Sequence, residues 1–263
     1  MKTICDDLNN EYEALDHIVS HLKKEEWLIK TPFNQWTIKD EISHIAYFDS
    51  TSKLSATDAS AFNKHFESIL VGVTQADDVF TKTLAKGRLM SIEELMQWWR
   101  TERNELLDAL RNHDPKKKLP WYGLPMSAKS FATARLMETW AHGQDIVDAL
   151  GIQRVPTDRL KHIAHLGNTT RGWSYANRQM AVPDQSVYVQ LTSPSNIVWE
   201  WGNPQEDNII QGSAEEFCLV VTKRRHVDDT HLIVKGSVAR EWMIIAQAFA
   251  GPPADGPKYS KTQ

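Results

Sequence analysis

The stretch FATARLMETWAHGQDIVDAL, residues 131–150, decides the fold because it predicts a long helix that is buried on every side. At about 100° per residue, several of its side chains fall within about 40° of one line along the helix. This stripe mixes polar and apolar side chains: Phe131, Ala134, Glu138, His142, Asp145 and Ala149. The other faces are also apolar, which is typical of a helix inside a bundle.

A carboxylate and an imidazole one turn apart in a buried helix need partners, because an unpaired buried charge is costly. Glu138 and His142 can present an oxygen and a nitrogen to one divalent cation. They can equally form a hydrogen-bonded helix pair, since this spacing is frequent by chance. A third metal ligand would come from another helix, and His44, one turn from Glu41 and Phe48, is the leading candidate. Three ligands with an open position are typical of a catalytic metal.

Outward from this helix, apolar residues at spacings of three and four predict further long helices over residues 4–23, 38–54 and 92–113. Capping boxes at Thr37 with Asp40 and at Ser91 with Glu94 mark two of their starts, and Ser127 starts the helix that Gly151 ends. Shorter helices are predicted over 62–69 and 76–85. With no strand pattern before residue 155, residues 1–155 are predicted to form an up-and-down four-helix bundle, so the fold class is mainly α.

After Pro156 the pattern changes to a small α+β domain over residues 156–263. One helix is predicted over residues 158–180, and further helices over 214–222 and 238–249. The β-prone segments are bounded by Pro, Asn and Gly, and they cover residues 187–191, 197–201, 208–210 and 231–234. The tail over residues 251–263 is rich in Gly and Pro and is predicted to be loose.

Composition excludes several classes of protein. The formal net charge is −4, so no global basic field favours nucleic acid or an anionic membrane. Cys5 and Cys218 are isolated, which excludes a zinc knuckle or iron–sulfur set and favours the reducing cytoplasm. The first thirty residues lack a signal-peptide pattern, and no apolar run approaches the roughly 18 residues of a membrane span. We therefore expect a cytoplasmic protein, monomer or homodimer, that binds a small molecule.

Two helical segments resemble a known family. Residues 36–46, WTIKDEISHIA, resemble the first signature of the DinB-like superfamily, in its mycothiol-dependent maleylpyruvate isomerase branch. Residues 137–146, METWAHGQDI, resemble the second signature of that branch. Residues 119–127 resemble a loop of metal-binding relatives. The C-terminal part resembles the wyosine-base-formation-type domain attached to them, although the two cysteines cannot supply the cluster of radical tRNA-modifying chemistry.

The resemblance implies a metal, usually zinc, held by His44, Glu138 and His142, with an open position for water or a thiol. It implies a low-molecular-weight thiol such as mycothiol, held as the nucleophilic thiolate for transfer or isomerisation. It also suggests that an arginine of the C-terminal domain binds the substrate carboxylate; Arg224 and Arg225 are the nearest matches, and a solvated turn is the alternative for both.

Asp145 is a candidate for orienting His142 or a bound water, with helix capping or a lysine pair as the alternative. Trp121, in the loop that enters the metal helix, is a candidate for lining a substrate pocket together with Tyr122, although tryptophans are more often core residues. His17 and His21 are also four residues apart, but they lie opposite the apolar stripe of their helix and are predicted to be exposed.

Two functional hypotheses follow. The first is a metal-dependent, thiol-dependent transferase or isomerase acting on a small, anionic organic substrate. The second is a non-catalytic metal- or small-ligand-binding protein on the same bundle. The open coordination position distinguishes them, because only the first requires a thiol to bind there.

Overall fold

A computed structural model describes residues 1–74 and 76–258. The chain divides into two compact units, Met1–Gln153 and Arg154–Gln263. Among the described residues, none of the helices combines the length and the apolar character that crossing a bilayer requires.

The first unit is helical. Its helices are α1 (Lys2–Val19), α2 (Ile38–Thr57), α3 (Ala59–Leu70), α4 (Ala76–Leu89), α5 (Ile92–Arg111) and α6 (Ala128–Leu150). Helices α1, α2, α5 and α6 pack together as the predicted bundle, and α3 and α4 pack beside α2. The core between them consists of apolar side chains that are almost fully buried, including Leu8, Leu15, Ile42, Ile45, Leu106 and Leu136.

Local sequence signals set the helix ends. Both predicted capping boxes are formed, at Thr37 with Asp40 and at Ser91 with Glu94. Gly151 ends α6 in the left-handed region at φ 65°, a conformation that glycine adopts without strain. The loop before α6 contains a short hairpin of β1 (Lys118–Leu119) and β2 (Met126–Ser127). The expectation of no strand before residue 155 was therefore wrong, because two-residue strands are too short to show a period in the sequence.

Close packing of α4 against α2 depends on Gly87. A Cβ atom at this position would lie 2.2 Å from Oγ and 2.5 Å from Cβ of Ser43, distances that real side chains do not tolerate. The absence of a side chain lets α4 approach α2 next to His44. Arg88 then pairs with Asp40 at the start of α2, with 2.7 Å between Nε and Oδ1.

The second unit contains a four-stranded sheet of order β4-β3-β5-β6. Strand β3 (Tyr188–Thr192) pairs antiparallel with β4 (Val198–Trp201) and parallel with β5 (Ile209–Ser213), which pairs antiparallel with β6 (Ile233–Lys235). The helices are α7 (Leu160–Thr169), α8 (Arg171–Ala176), α9 (Ala214–Val221) and α10 (Ser237–Ile245).

Two helix predictions in this unit were wrong in extent. The helix expected over 158–180 is interrupted at Thr170, whose hydroxyl donates to the carbonyls of Leu166 and Gly167 and competes with the helical pattern. The last helix ends at Ile245 rather than 249, because the backbone N–H of Gln247 donates to Ser174 Oγ instead of continuing the helix. Residues 251–258 form neither helix nor strand, and the remainder of the predicted loose tail, residues 259–263, lies outside the described residues.

Candidate metal centre

The three ligands predicted from sequence meet between α2 and α6. His44 lies in the first half of α2, and Glu138 and His142 lie one turn apart on α6. Glu138 Oε2 lies 3.3 Å from His142 Nε2 and 3.8 Å from His44 Nε2. The potential ligand atoms of the three side chains all lie within 4.8 Å of one another.

The donor set fits a zinc-sized cation. Ligand atoms bonded to tetrahedral zinc at 2.0–2.2 Å are about 3.3 Å apart. The Glu138–His142 pair has this spacing at 3.3 Å, and the Glu138–His44 pair is wider at 3.8 Å. Two imidazole nitrogens and one carboxylate oxygen are ligands that zinc and other first-row divalent ions accept. Three protein ligands leave one tetrahedral position for a further molecule.

His142 is oriented by Glu41, whose role the sequence analysis missed. Nδ1 of His142 lies 2.7 Å from Glu41 Oε2. The other oxygen of Glu41 accepts a hydrogen bond from Thr31 Oγ1 at 2.5 Å. When Nδ1 donates to Glu41, the lone pair of Nε2 is directed toward Glu138 and His44, where a cation can use it. The sequence signal for this contact was that Glu41 lies one turn before the candidate ligand His44, on the same buried face of α2.

Asp145 lies farther from the imidazole. Its Oδ2 is 3.7 Å from His142 Nδ1, whereas Glu41 lies within hydrogen-bond distance of the same nitrogen. Glu41, His142 and Asp145 form a second group of potential metal-ligating atoms, and all three side chains are buried. Glu41 therefore occupies the hydrogen-bonding position at Nδ1 of His142, and the orienting role suggested for Asp145 stays a prediction.

The ligands differ in burial and in protonation. The side chain of Glu138 is 25% exposed, and that of His142 is 4% exposed. Burial, together with the neighbouring His142, lowers the pKa of His44 to about 4, so this imidazole is neutral and able to bind a cation near neutral pH. Burial alone would raise the pKa of Glu138, but the neighbouring imidazoles of His142 and His44 hold that pKa well below its usual value. The site therefore combines an ionised carboxylate with a neutral imidazole.

Aromatic rings surround the two histidines. Trp36 stacks on His142 with 6.1 Å between ring centroids, and it also contacts His44 at 5.1 Å. Phe33 meets His142 edge-on, and Phe48 lies 4.6 Å from His44. These rings hold the imidazoles by packing and limit the access of water. Among the described residues, Nδ1 of His44 is buried without a hydrogen-bond partner, so the ring is held by aromatic packing and by the contact of its Nε2 atom with Glu138.

Trp121 and Tyr122 lie in the hairpin loop before α6 and contact the site through Phe48. Both rings are within about 6 Å of the Phe48 ring, and Trp121 also stacks on Phe62 with an interplanar angle of 13°. Their predicted role in substrate binding remains a prediction.

Arg224 and Arg225 belong to the second unit, just after α9. Arg224 is buried and its Nη1 donates to the carbonyl of Thr222, while Arg225 Nη1 donates to the carbonyl of Arg224. The alternative of a solvated turn does not hold for Arg224, and the substrate-binding role of both arginines stays a prediction. His17 and His21 are exposed, as predicted.

Comparison with known proteins identifies the family of the chain. The family described as mycothiol maleylpyruvate isomerase N-terminal domain matches residues 8–147, a range that includes the three candidate ligands and Glu41. The chain belongs to the mycothiol maleylpyruvate isomerase N-terminal domain family. The resemblance inferred from the two helical signatures is thereby confirmed, as is the helical DinB-like fold.

The similarity to known proteins covers nearly the whole chain. Uncharacterized proteins from two strains of Mycobacterium tuberculosis are 40% identical over 251 residues, covering 95% of this chain and 96% of theirs. Among solved structures, mycothiol-dependent maleylpyruvate isomerase aligns with a TM-score of 0.55, and a histidine-to-alanine mutant of it aligns with a TM-score of 0.57. Each alignment covers 85% of this chain and 89% of the other at 14% identity, which establishes the shared fold.

Proposed function

We propose that this member of the mycothiol maleylpyruvate isomerase N-terminal domain family is a zinc-dependent enzyme that uses a low-molecular-weight thiol to isomerise, or transfer the thiol to, a small organic anion. The observation that carries the proposal is the convergence of Nε2 of His44, Nε2 of His142 and Oε2 of Glu138 on one point. A bound zinc ion supplies Lewis acidity that keeps a coordinated thiol in its thiolate form at neutral pH.

The residues of this chain divide the remaining tasks. His44, Glu138 and His142 bind the ion, and Glu41 fixes the proton of His142 on Nδ1. Trp36 and Phe48 pack against the histidines and exclude water, which strengthens electrostatic interactions in the site. The partly exposed side chain of Glu138 marks the side from which a thiol can approach. Maleylpyruvate, named for the related isomerase, is the first substrate to test, and a carboxylate on the substrate would suit the predicted roles of Arg224 and Arg225.

Titration calorimetry of the zinc-loaded protein with mycothiol, bacillithiol and glutathione tests the proposal. We expect one thiol to bind with release of a proton, because coordination requires the thiolate. The S-methylated form of the same thiol is the matched control, since it retains the shape but cannot form a thiolate. Turnover is then measured with maleylpyruvate in the presence and absence of that thiol. A zinc-loaded protein that binds none of the three thiols would instead be a non-catalytic binding protein.

A further inference from the structure

A second cluster of polar side chains lies inside the bundle, and we call it the Asp49 junction. Its members are Tyr12, Asp49, Trp99 and Arg135, which come from α1, α2, α5 and α6 respectively. The side chain of Asp49 is 0% exposed and that of Arg135 is 3% exposed. Tyr12 and Trp99 are also completely buried. All four bundle helices therefore meet at one carboxylate.

Both oxygens of this carboxylate accept hydrogen bonds. Oδ1 accepts from Tyr12 Oη at 2.6 Å and from Arg135 Nε at 3.0 Å, and Oδ2 accepts from Trp99 Nε1 at 3.2 Å. Arg135 Nη2 also lies 2.9 Å from Asp49 Oδ1 and donates to the carbonyl of Ile45, the residue after His44. The guanidinium of α6 is thus attached to α2 at two points.

The junction lies next to the metal ligands along both helices. On α2, Asp49 is about one and a half turns beyond His44, and on α6, Arg135 is about one turn before Glu138. The contact between Glu41 and His142 joins the same two helices on the other side of the ligands. His44 and Glu138 therefore lie between two buried polar links that join α2 to α6, and one of these links includes the third candidate ligand, His142.

Stability alone does not account for such a junction. A buried ion pair contributes little net stability, because the loss of hydration offsets the attraction between the charges. Directional hydrogen bonds do, however, specify one register, whereas apolar contacts tolerate small shifts between helices. A shift of one residue along a helix moves a ligand by about 1.5 Å, and metal–ligand distances must agree within about 0.2 Å.

We propose that the Asp49 junction positions the metal ligands by fixing the register of α2 against α6, and with it the separation of His44 from Glu138. The inference rests on the proposed function, since it concerns the same metal. Asp49 and Arg135 contact neither the ion nor the substrate in this scheme, so they act as positioning residues.

The test is the double variant Asp49→Leu/Arg135→Met, which removes both charges and keeps the side chains large and apolar. Three quantities are measured: zinc affinity by competition with a chromophoric chelator, the visible absorption of the cobalt(II)-substituted protein, and urea unfolding of the metal-free protein. We expect a folded protein whose zinc affinity is at least tenfold lower and whose cobalt spectrum shows an altered coordination geometry. A folded variant with wild-type affinity and spectrum overturns the proposal.

The bundle offers a matched control. Asp16 and Arg100 form another ion pair, with 2.6 Å between Oδ1 and Nη2, and they join α1 to α5, neither of which carries a ligand. The variant Asp16→Asn/Arg100→Met leaves in place Arg103, which packs on Trp99 of the junction, and it should keep wild-type zinc affinity and the wild-type cobalt spectrum. An equal loss in this control would mean that any loosening of the bundle weakens the site, which also overturns the proposal.

A milder variant covers the case in which the first does not fold. Tyr12→Phe/Trp99→Phe keeps the ion pair and removes the two neutral donors to Asp49. We expect its zinc affinity to fall at least threefold, and unchanged affinity contradicts the inference. A wild-type protein that binds no zinc overturns this inference and the metal dependence in the proposed function together. If the junction variants fold and keep wild-type zinc affinity, this inference fails and the proposed function is not affected.

Discussion

Two polar clusters are buried in the same helical bundle, and they differ in how completely their atoms are partnered. In the Asp49 junction both carboxylate oxygens accept hydrogen bonds and Arg135 is paired. At the candidate metal site, Oε2 of Glu138 lies 3.3 Å from Nε2 of His142 and 3.8 Å from Nε2 of His44, and Nδ1 of His44 has no hydrogen-bond partner among the described residues. The first cluster is complete without a ligand, whereas the second presents a carboxylate and two imidazoles that a cation could bind.

The largest expected effect is on metal binding. His142→Ala removes a ligand, so zinc affinity should fall by about 10³-fold or more, beyond the roughly 10–100-fold typical of residues that only support ligands. Competition with a chromophoric chelator measures the change. His17→Ala is the control, because His17 is an exposed histidine on α1 and should leave the affinity unchanged. Equal losses from both variants would place the metal elsewhere.

The next largest effect is expected at the Asp49 junction, and it should change the free energy of unfolding. Arg135→Met alone leaves the carboxylate of Asp49 buried without its cation, so the free energy of unfolding should fall by about 3–5 kcal/mol. Adding Asp49→Leu removes the stranded charge but leaves the buried Tyr12 hydroxyl and Trp99 N–H without their acceptor, so it should restore only part of that loss. Urea unfolding of the metal-free proteins measures both changes. A double variant no more stable than Arg135→Met would show that the unpaired charge of Asp49 does not cause the loss of stability.

A smaller effect is expected from the residues behind His142. Glu41→Gln keeps the shape but weakens the hydrogen bond to Nδ1, so zinc affinity should fall by about 10–100-fold. Thr31→Val removes only the hydrogen bond to Glu41 and should cost less than Glu41→Gln. The same chelator competition ranks the two variants. A larger loss of zinc affinity from Thr31→Val would indicate that Thr31 affects the site other than through its hydrogen bond to Glu41.

The smallest effect is the pH dependence of the metal-free protein. The pKa of His44 is about 4 in the folded state against 6.5 for the ordinary group, so the unfolded state binds more protons between these values. The stability contributed by neutral His44 is therefore present near neutral pH and is lost as pH falls through this window. We expect a loss of about 2 kcal/mol between about pH 7 and about pH 5. Urea unfolding of wild type and His44→Asn checks this, and an equal loss in both contradicts the assignment.

The local sequence was enough for much of the fold. The predicted capping boxes at Thr37 and Ser91, and the end of α6 at Gly151, are all formed, because each depends on contacts within a few residues. The break at Thr170 and the early end of α10 were missed, because they depend on a competing hydroxyl and on a hydrogen bond from Gln247 to a serine distant in sequence.

For the site, the sequence determined the identity of the candidate ligands, since Glu138 and His142 at i and i+4 on a buried helix need a partner wherever that helix packs. Only the tertiary structure decided what surrounds them. The contact of Glu41 with His142 and the meeting of four helices at Asp49 join residues from separate helices. Helical periodicity defines which face of a helix is buried, but the register between two packed helices is set by their side chains in three dimensions.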